Sequence, residues 1–159
     1  MANATMHAKD AVSAKLAKCY VTTPDGKRYN MMNLINFEAK YEMKTAEVPL
    51  LGRPSAGNKI TGYTGTFSGT LHFNSSIFRD MFFKFQNTGE ATYFEIQVEN
   101  SDPTTSVGTQ TTIYRDCLIT SGIISKFDAD GEYLDEEIEG TFETADNPQK
   151  FNMLAGMEA

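Results

Sequence analysis

Two histidines are the side chains of this sequence best suited to acid–base chemistry near neutral pH. His7 lies in an N-terminal arm, which leaves His72 as the single candidate for a general acid or base. His72 alternates with small hydroxyl residues, and neither a nucleophile elbow nor a His-rich metal spacing accompanies it. The pattern favours a partly exposed structural histidine. The alternative, a hydrolase, requires that activity be lost when His72 is changed.

The two cysteines are the candidate nucleophiles. Cys19 and Cys117 stand far apart and do not form a Cys-x-x-Cys pair. Cys117 precedes Leu118 and Ile119 in a strand-like run, which favours a buried structural thiol over a reactive one. Reduced, packed thiols suit a cytoplasm. We therefore expect no enzymatic activity, no cofactor and no bound metal.

A glycine-rich stretch at residues 52–57 has the glycine spacing of a phosphate-binding loop. Asn58 stands where such a loop requires lysine, and Lys59 comes one place late. The segment from Ile60 onward is patterned as a strand, whereas a phosphate loop must open a helix. The sequence therefore predicts an ordinary loop here.

Residues 126–137 partly match a calcium-binding loop. Asp128, Asp130, Gly131 and Glu137 fit the pattern, but Lys126 occupies the first ligand position and brings a cation in place of a carboxylate. The flanking segments alternate as strands and do not form two helices. A hairpin turn is the better interpretation, and weak adventitious calcium binding is the alternative.

The charge balance is acidic. The chain has 14 basic and 21 acidic residues, which gives a formal net charge of −7 and a pI near 4.8. Eight of the acids lie within residues 128–143 with no basic residue among them, as in a solvated edge. Tight nucleic-acid binding is disfavoured, because it needs a basic surface.

The length of 159 residues predicts one compact domain. No apolar run approaches the roughly 18 residues needed to span a bilayer, and residues 1–18 have no apolar signal core. We expect a soluble, unexported protein. Its predicted parts are an N-terminal arm (residues 1–17), a β domain (residues 18–145) and a C-terminal tail (residues 146–159).

Period-two alternation dominates the chain and predicts a mainly β fold. Residues 37–44 alternate apolar with charged side chains, and residues 60–73 alternate aromatic residues or glycine with small hydroxyl residues. A 3.6-residue period begins near Ser76 and ends at residues 87–89, which predicts one helix. The predicted strands cover residues 19–23, 36–48, 60–73, 91–99, 109–127 and 136–143, with a loop at residues 49–59.

The two central strands are unusually long. Residues 36–48 would extend roughly 40 Å at about 3.3 Å per residue, far beyond the usual strand. Two such strands leave unpaired backbone edges in a small sandwich, and unpaired edges pair with other chains. Closure into a ring removes the edges, so we expect self-association.

Several segments, in this order and spacing, resemble the tail tube proteins of contractile bacteriophage tails and related defective-phage particles, the group typified by the tube protein of phage-like element PBSX. The resemblance covers roughly residues 18–151. The segments that carry it are residues 37–44, the turn at residues 51–53 with Gly57 and Lys59, the Gly-Thr ladder at residues 62–70, and residues 78–85, 93–99, 113–116, 133–137 and 141–143.

This resemblance implies a β-sandwich or partial barrel of two packed antiparallel sheets with one flanking α-helix. Six subunits would form a ring, and rings would stack into a hollow tube inside a contractile sheath. The implied partners are further copies of the chain, the tail sheath protein, baseplate and tail terminator proteins, and a tape measure protein in the lumen. DNA would pass without specific binding, and no membrane anchor is implied. The particle would be a virion tail or a headless, bacteriocin-like tail, assembled in the host cytoplasm.

The resemblance also implies roles for two sets of residues. The loop at residues 50–59 would reach the neighbouring ring, and its ring-stacking residues would be Leu51, Gly52, Arg53, Gly57 and Lys59. The polar side of the long hairpin would face the channel, and the lumen-facing candidates are Glu38, Lys40, Glu42, Lys44, Thr64, Thr66, Ser68 and Thr70.

Two alternatives remain at this point. A secretion-system tube protein of the type VI kind would have the same fold and differ in its partner genes. A monomeric β-sandwich that binds a ligand would need a concave aromatic patch, and the absence of tryptophan argues mildly against it.

Overall fold

The computed structural model describes residues 4–158. A short 3₁₀ turn, Ala8–Asp10, precedes eight strands and one helix. In chain order these are β1 (Ala17–Thr22), β2 (Arg28–Asn30), β3 (Leu34–Val48), β4 (Gly57–His72), α1 (Ile77–Thr88), β5 (Phe94–Ser101), β6 (Thr109–Ser121), β7 (Asp135–Phe142) and β8 (Thr144–Gln149). The predicted mainly β fold with one helix is confirmed.

All eight strands belong to one antiparallel sheet. Seven of them follow the order β2-β1-β5-β6-β7-β4-β3, and β8 pairs with β6 beside this path. The first part of β6 pairs with β5 and β8, and its last residues, Leu118 to Ser121, pair with β7. The two predicted sheets are therefore joined through β6 into one sheet that folds over on itself.

The core lies between the two layers of this folded sheet and under α1. Its most deeply buried side chains are Val21, Leu71, Phe94, Ile96 and Cys117. Each alternates with exposed or half-buried neighbours along its strand, as the period-two pattern requires.

The helix α1 covers one end of this core. Phe78 and Met81 are its buried residues, and the ring of Phe78 lies 5.8 Å from that of Phe94. Gly89 ends the helix in the left-handed region at φ +76°, and its N–H donates to the carbonyl of Phe85. The helix has 12 residues, and no helix among residues 4–158 is long and apolar enough to cross a membrane.

The strand predicted at residues 109–127 is too long. The chain bulges between Ile119 and Ser121 and leaves the sheet after Ser121. Gly122 follows, where an added Cβ would lie 2.8 Å from the ring of Phe82, so helix packing turns the chain away at this point. Residues 122–134 form a loop, and Phe127 in it is 92% exposed.

A strand that the sequence did not predict follows β7. β8 is mostly polar, with Ala145 as its one core-packed apolar residue, and contains Pro148, so its pattern resembles a tail. It pairs with β6 on one side only, and proline is tolerated on such an edge strand. β8 spans the predicted boundary at residue 145 between the β domain and the C-terminal tail.

Candidate assembly surfaces

One side of the long β3–β4 hairpin is polar along residues 38–44 of β3 and residues 64–70 of β4, and we call this surface the polar face. Backbone register places all eight lumen-facing candidates on it, with Lys40 opposite Thr66 and Glu42 opposite Thr64. The polar face continues onto β7 and β6, because Thr66 pairs with Thr141 and Thr120 donates from Oγ1 to the carbonyl of Glu139 at 3.3 Å. The added members are Glu137, Glu139, Thr141 and Thr120. They were not among the predicted lumen-facing residues, although residues 136–143 show the same alternation.

The polar face is concave. It contains a groove of about 380 Å³ whose walls include Glu38, Lys40, Ser68, Thr120 and Glu139. Lys40 Nζ lies 3.3 Å from Glu42 Oε1, and both side chains are well exposed. With four glutamates at positions 38, 42, 137 and 139 and two lysines at positions 40 and 44, the polar face has a net charge of −2.

The opposite side of the same strands packs into the core. Phe67 and Leu71 of β4 are buried, and Phe37 and Ala39 of β3 pack against them. Gly140 of β7 permits this packing, because an added Cβ would lie 2.4 Å from both the ring of Phe67 and the carbonyl oxygen of Leu118. The glycines between aromatic residues are therefore positions of close approach.

The far half of the hairpin extends beyond its support. The pairing of β4 with β7 ends at Gly65 and Phe142, whereas β3 and β4 remain paired as far as Val48 and Gly57. We call the unsupported part, residues 41–64, the projecting hairpin. Its tip is the loop at residues 49–56, which contains two of the chain's five prolines, Pro49 and Pro54.

Three of the five predicted ring-stacking residues, Leu51, Gly52 and Arg53, lie in the loop at the tip of the projecting hairpin, and Gly57 and Lys59 lie among the first residues of β4. Leu51 is fully exposed, Gly52 has φ +78° in the turn, and the Arg53 N–H donates to the carbonyl of Leu50. The predicted loop at residues 49–59 is too long, because β4 begins at Gly57 and Lys59 is paired with Ala46 in the ladder.

The four strands under the polar face have two open edges. In the order β6-β7-β4-β3, no strand among residues 4–158 pairs with the outer edge of β3, or with residues 118–121 of β6 on the side away from β7. Each neighbouring pair is antiparallel, so β3 and β6 run in opposite directions. A second copy placed beside the first would therefore continue the antiparallel pattern.

A buried ion pair joins α1 to the start of β7. Arg79 pairs with Glu136, donates to the carbonyl of Ser75, and lies 4.3 Å over the ring of Phe73. The side chains of Arg79 and Glu136 are 14% and 3% exposed. Burial raises the pKa of Glu136, and the Arg79 guanidinium opposes that shift. One residue of the acidic run is thus structural and not solvated.

The N-terminal arm is fixed by two aspartates that exchange hydrogen bonds with the β5–β6 loop. Ser106 donates its N–H and its hydroxyl to Asp10 at 2.9 Å, and Ser13 donates its N–H to Asp102 at 3.0 Å. The backbone hydrogen bond from Ser106 lowers the pKa of Asp10, and those from Thr104 and Ser13 lower the pKa of Asp102. We call this arrangement the arm clasp.

The candidate catalytic side chains are not assembled into a site. His72 lies opposite Asp135 in the β4–β7 ladder, its backbone N–H donates to the carbonyl of Asn33, and its ring is 5.5 Å from that of Tyr133. His7 is exposed in the N-terminal arm.

Both cysteines are buried thiols. Burial raises the pKa of Cys19 and of Cys117 to about 12, which suppresses the thiolate. Cys117 Sγ donates to the carbonyl of Tyr114 at 3.4 Å. These contacts fit the structural role expected for the thiols.

The two partial motifs also have ordinary structural roles. Residues 52–57 lead into β4 and do not open a helix. In the calcium-like stretch, Lys126 Nζ donates to Asp135, and Asp128 accepts the N–H of Asp130. No group of three or more histidine, cysteine or acidic side chains among residues 4–158 could hold a metal ion.

The fold is similar to that of chains in contractile injection systems. A chain of the sheath–tube complex of the extracellular contractile injection system PVC, in its extended state, superposes with a TM-score of 0.64 at 12% identity, over 92% of this chain and 99% of that one. A chain of the tube terminating cap of the anti-feeding prophage gives 0.66 at 11% identity, over 94% and 96%. The chain therefore has the fold of a contractile injection system component.

Sequence comparison identifies the family. The family described as "Phage tail tube protein" matches residues 4–148, and the chain belongs to it. Phage-like element PBSX protein XkdM of Bacillus subtilis (strain 168) is 31% identical over 147 residues, which cover 92% of this chain and 97% of that protein. The protein YqbM of the same strain is 30% identical over 145 residues, or 91% and 95%. The predicted family is confirmed, and the chain is a structural, non-enzymatic protein of the tail tube class.

Proposed function

We propose that six copies of this chain form a ring, and that rings stack into the hollow inner tube of a contractile phage tail or phage-tail-like particle. The observation that carries the proposal is a concave, polar, four-stranded face with two open edges that run in opposite directions. In a head-to-tail arrangement of identical copies, the two open edges of every copy pair with the edges of its two neighbours. If the rotation from one copy to the next closes after a whole turn, the copies form a ring.

The size of the resulting channel follows from strand geometry. Four strands from each of six copies make a barrel of 24 strands. At about 4.8 Å between strands and a tilt of about 40°, its circumference is about 150 Å and its backbone diameter about 48 Å. Side chains on the polar face leave a bore wide enough for duplex DNA.

The polar face suits passage without binding. Its net charge of −2 per copy does not hold phosphates, whereas a basic wall would. The lumen-facing residues in this proposal are Glu38, Lys40, Glu42, Lys44, Thr64, Thr66, Ser68 and Thr70, joined by the β6 and β7 members of the polar face. DNA passage, or puncture of a membrane by the advancing tube, then needs no residue to bind the cargo specifically.

The tip of the projecting hairpin is proposed to contact the next ring. Leu51 is fully exposed, and Arg53 and Lys59 are exposed cations in an acidic chain. They can pair with acidic side chains of the copy above or below, while Gly52 and Gly57 shape the two sides of the tip. The contact is proposed for Leu51, Gly52, Arg53, Gly57 and Lys59 together.

The remaining proposed partners are the proteins that surround, end or fill a tube inside a contractile sheath. They are the tail sheath protein on the outside, baseplate and terminator proteins at the two ends, and a tape measure protein in the lumen. Assembly in the host cytoplasm and residence in the finished tail agree with the buried thiols. The arm, β domain and tail boundaries at residues 17 and 145 are kept as a proposal, with β8 shared across the second boundary.

Sedimentation of the purified chain, with negative-stain images of the pellet, tests the proposal. We expect rings or tubes, and only monomer at high concentration would overturn it. Arg53→Glu should leave rings intact and prevent stacking. Lys84→Glu, the same charge reversal on an exposed residue of α1, is the matched control and should stack normally. Normal stacking of Arg53→Glu would remove the hairpin tip from the contact.

A further inference from the structure

The loop at residues 122–134 lies at the end of the molecule opposite the tip of the projecting hairpin. The tip precedes Gly57, where β4 begins, and β7 begins at Asp135, which faces His72 at the end of β4. Because the loop leads into β7, the whole length of β4 separates it from the tip. We call residues 122–134 the acidic loop.

Unpaired charges of opposite sign lie at these two ends. Residues 45–59, which include the tip, contain the cations of Arg53 and Lys59 and one carboxylate, so their net charge is +1. The acidic loop contains three carboxylates and one lysine, so its net charge is −2. Within residues 4–158, neither the two cations nor the three carboxylates take part in an ion pair. The three exposed carboxylates belong to Asp128, Asp130 and Glu132.

The three most exposed large apolar side chains of residues 4–158 also lie at these two ends. Leu51 at the tip is fully exposed, and Phe127 in the acidic loop is 92% exposed. Met32, 85% exposed, lies at the same end as the acidic loop, because Leu34, two residues later, faces Leu71 near the end of β4. When two oppositely charged surfaces meet, exposed apolar side chains on both of them can act as anchors.

The acidic loop is held by hydrogen bonds to the strands beside it. Lys126 Nζ lies 3.3 Å from Asp135 Oδ1 and donates to the carbonyl of Asp135 at 3.2 Å. The Phe73 N–H, just after β4, donates to the carbonyl of Leu134 at 3.1 Å. A loop that is already held in this way loses little conformational freedom when a partner binds it.

The length of β4 fits a contact between rings. Its 16 residues extend about 53 Å at about 3.3 Å per residue, which is about 40 Å along the axis of a tube whose strands are tilted by about 40°. Rings that stack head to tail all point the same way. A copy displaced along the axis by about the height of β4 therefore brings its acidic loop to the tip of the copy in the previous ring.

We propose that the acidic loop is the surface that receives the hairpin tip of a copy in the next ring, with Leu51 against Phe127 and Arg53 among the loop carboxylates. The inference rests on the proposed function, which puts the tip between rings and leaves the receiving surface unassigned. It gives the tube two chemically different ends, with cationic tips at one and acidic loops at the other.

Charge exchange in the full chain tests the pairing. Asp130→Lys with Glu132→Lys should leave rings intact and raise the concentration needed for stacking by about tenfold or more. Adding Arg53→Glu reverses both net charges, to +2 on the loop and −1 around the tip, and should restore stacking. Glu95→Lys with Glu99→Lys makes the same change of charge on β5, in the layer away from the polar face, and should stack normally. Normal stacking of the loop variant, or no recovery with Arg53→Glu, would overturn the proposal.

Cross-linking tests the contact directly. Leu51→Cys is combined with Phe127→Cys, each single variant is a control, and the native thiols are buried. A bismaleimide added to assembled tubes should join each copy to one in the next ring. Denaturing gels of the double variant alone should then show a ladder that continues beyond six copies. A ladder that stops at six would assign the contact to one ring, and tubes without a ladder would remove the tip from the loop; either result overturns the proposal.

The unmodified chain separates this inference from the proposed function. If it forms neither rings nor tubes, the proposed function fails. If it forms tubes and the loop variants give the contrary results, the receiving surface alone is wrongly assigned.

Discussion

The buried ion pair between Arg79 and Glu136 allows a quantitative prediction for the fold. Arg79→Met keeps an apolar stem of similar length but removes the guanidinium, leaving the carboxylate of Glu136 in a site where it is 3% exposed. An uncompensated buried charge is strongly destabilising, whereas its neutral form is tolerated more easily. The variant should therefore protonate Glu136 on folding.

The cost of that protonation sets the size of the effect. The ordinary pKa of a glutamate is 4.5, and each unit between pKa and pH is worth about 1.36 kcal/mol. At pH 7, neutralising Glu136 then costs about 3.4 kcal/mol. We expect Arg79→Met to lower the free energy of unfolding by about 3 kcal/mol, which corresponds to a fall in Tm of about 10 °C for a chain of this size.

The pH dependence gives the prediction its sign. Loss of Arg79 raises the folded-state pKa of Glu136 further above its value in the unfolded chain. A carboxyl group whose pKa is raised by folding lowers the stability of the folded state as the pH rises above the unfolded pKa, and it costs nothing below that pKa. The deficit of Arg79→Met relative to the unmodified chain should therefore be largest at pH 7 and shrink as the pH falls towards 4.5. Denaturant unfolding followed by circular dichroism at pH 7, 6 and 5 measures it.

Two further variants complete the test. Arg79→Met with Glu136→Gln removes both charges and should regain all but about 1 kcal/mol, with no pH dependence in the deficit. Lys84→Met breaks an exposed ion pair with Glu90 on the same helix and should change stability by less than about 0.5 kcal/mol. A deficit below 1 kcal/mol at pH 7, or one that grows on acidification, would refute the reasoning.

Three other results are expected. Gly140→Ala forces a methyl group to 2.4 Å from a carbonyl oxygen and should destabilise the chain by about 2 kcal/mol or more in thermal unfolding, while Gly62→Ala, with open space around it, should be near neutral. Asp10→Asn should open the arm clasp, seen as faster hydrogen exchange near residues 8–16; because the pKa of Asp10 is lowered, the unmodified clasp should also weaken as the pH falls below about 4, and pH-independent exchange protection would contradict this. Cys19 and Cys117 should resist a thiol reagent at pH 8 in the folded chain and react once it is denatured; a fast-reacting native thiol would contradict their burial.

The long hairpin and the helix could be predicted from local pattern. Alternation along residues 37–44 and 62–70 fixes which side chains share a face, and the structure keeps that assignment throughout. The helix ends where Gly89 permits a left-handed residue. These features depend on near neighbours in the chain, so sequence spacing contains them.

The parts that were mispredicted depend on distant residues. β6 ends early because Gly122 lies against the ring of Phe82, a contact across more than thirty residues that alternation does not encode. β8 is a strand because β6 offers it an edge, since its own residues are mostly polar and include Pro148. The sequence alone does not distinguish Glu136 from the solvated acids around it, because its partner Arg79 lies on the helix, far away in the chain.

The candidate assembly surfaces were predicted in part. The polar face of β3 and β4 follows from alternation, whereas its extension onto Thr120 and Glu139 requires the strand order. The exposure of Tyr41 and Met43 on the projecting hairpin cannot be predicted from the sequence, because both residues continue the alternating pattern of half-buried Phe37 without a break. Only the end of the β7 pairing at Gly65 distinguishes the covered part of the hairpin from the uncovered part.

The most direct test of the account is electron microscopy of end-on views of the assembled, purified chain. Edge-to-edge joining of identical copies predicts sixfold rings with a continuous inner wall of about 48 Å backbone diameter. Particles without rotational symmetry, or rings in which neighbouring copies are separated at the inner wall, would contradict it.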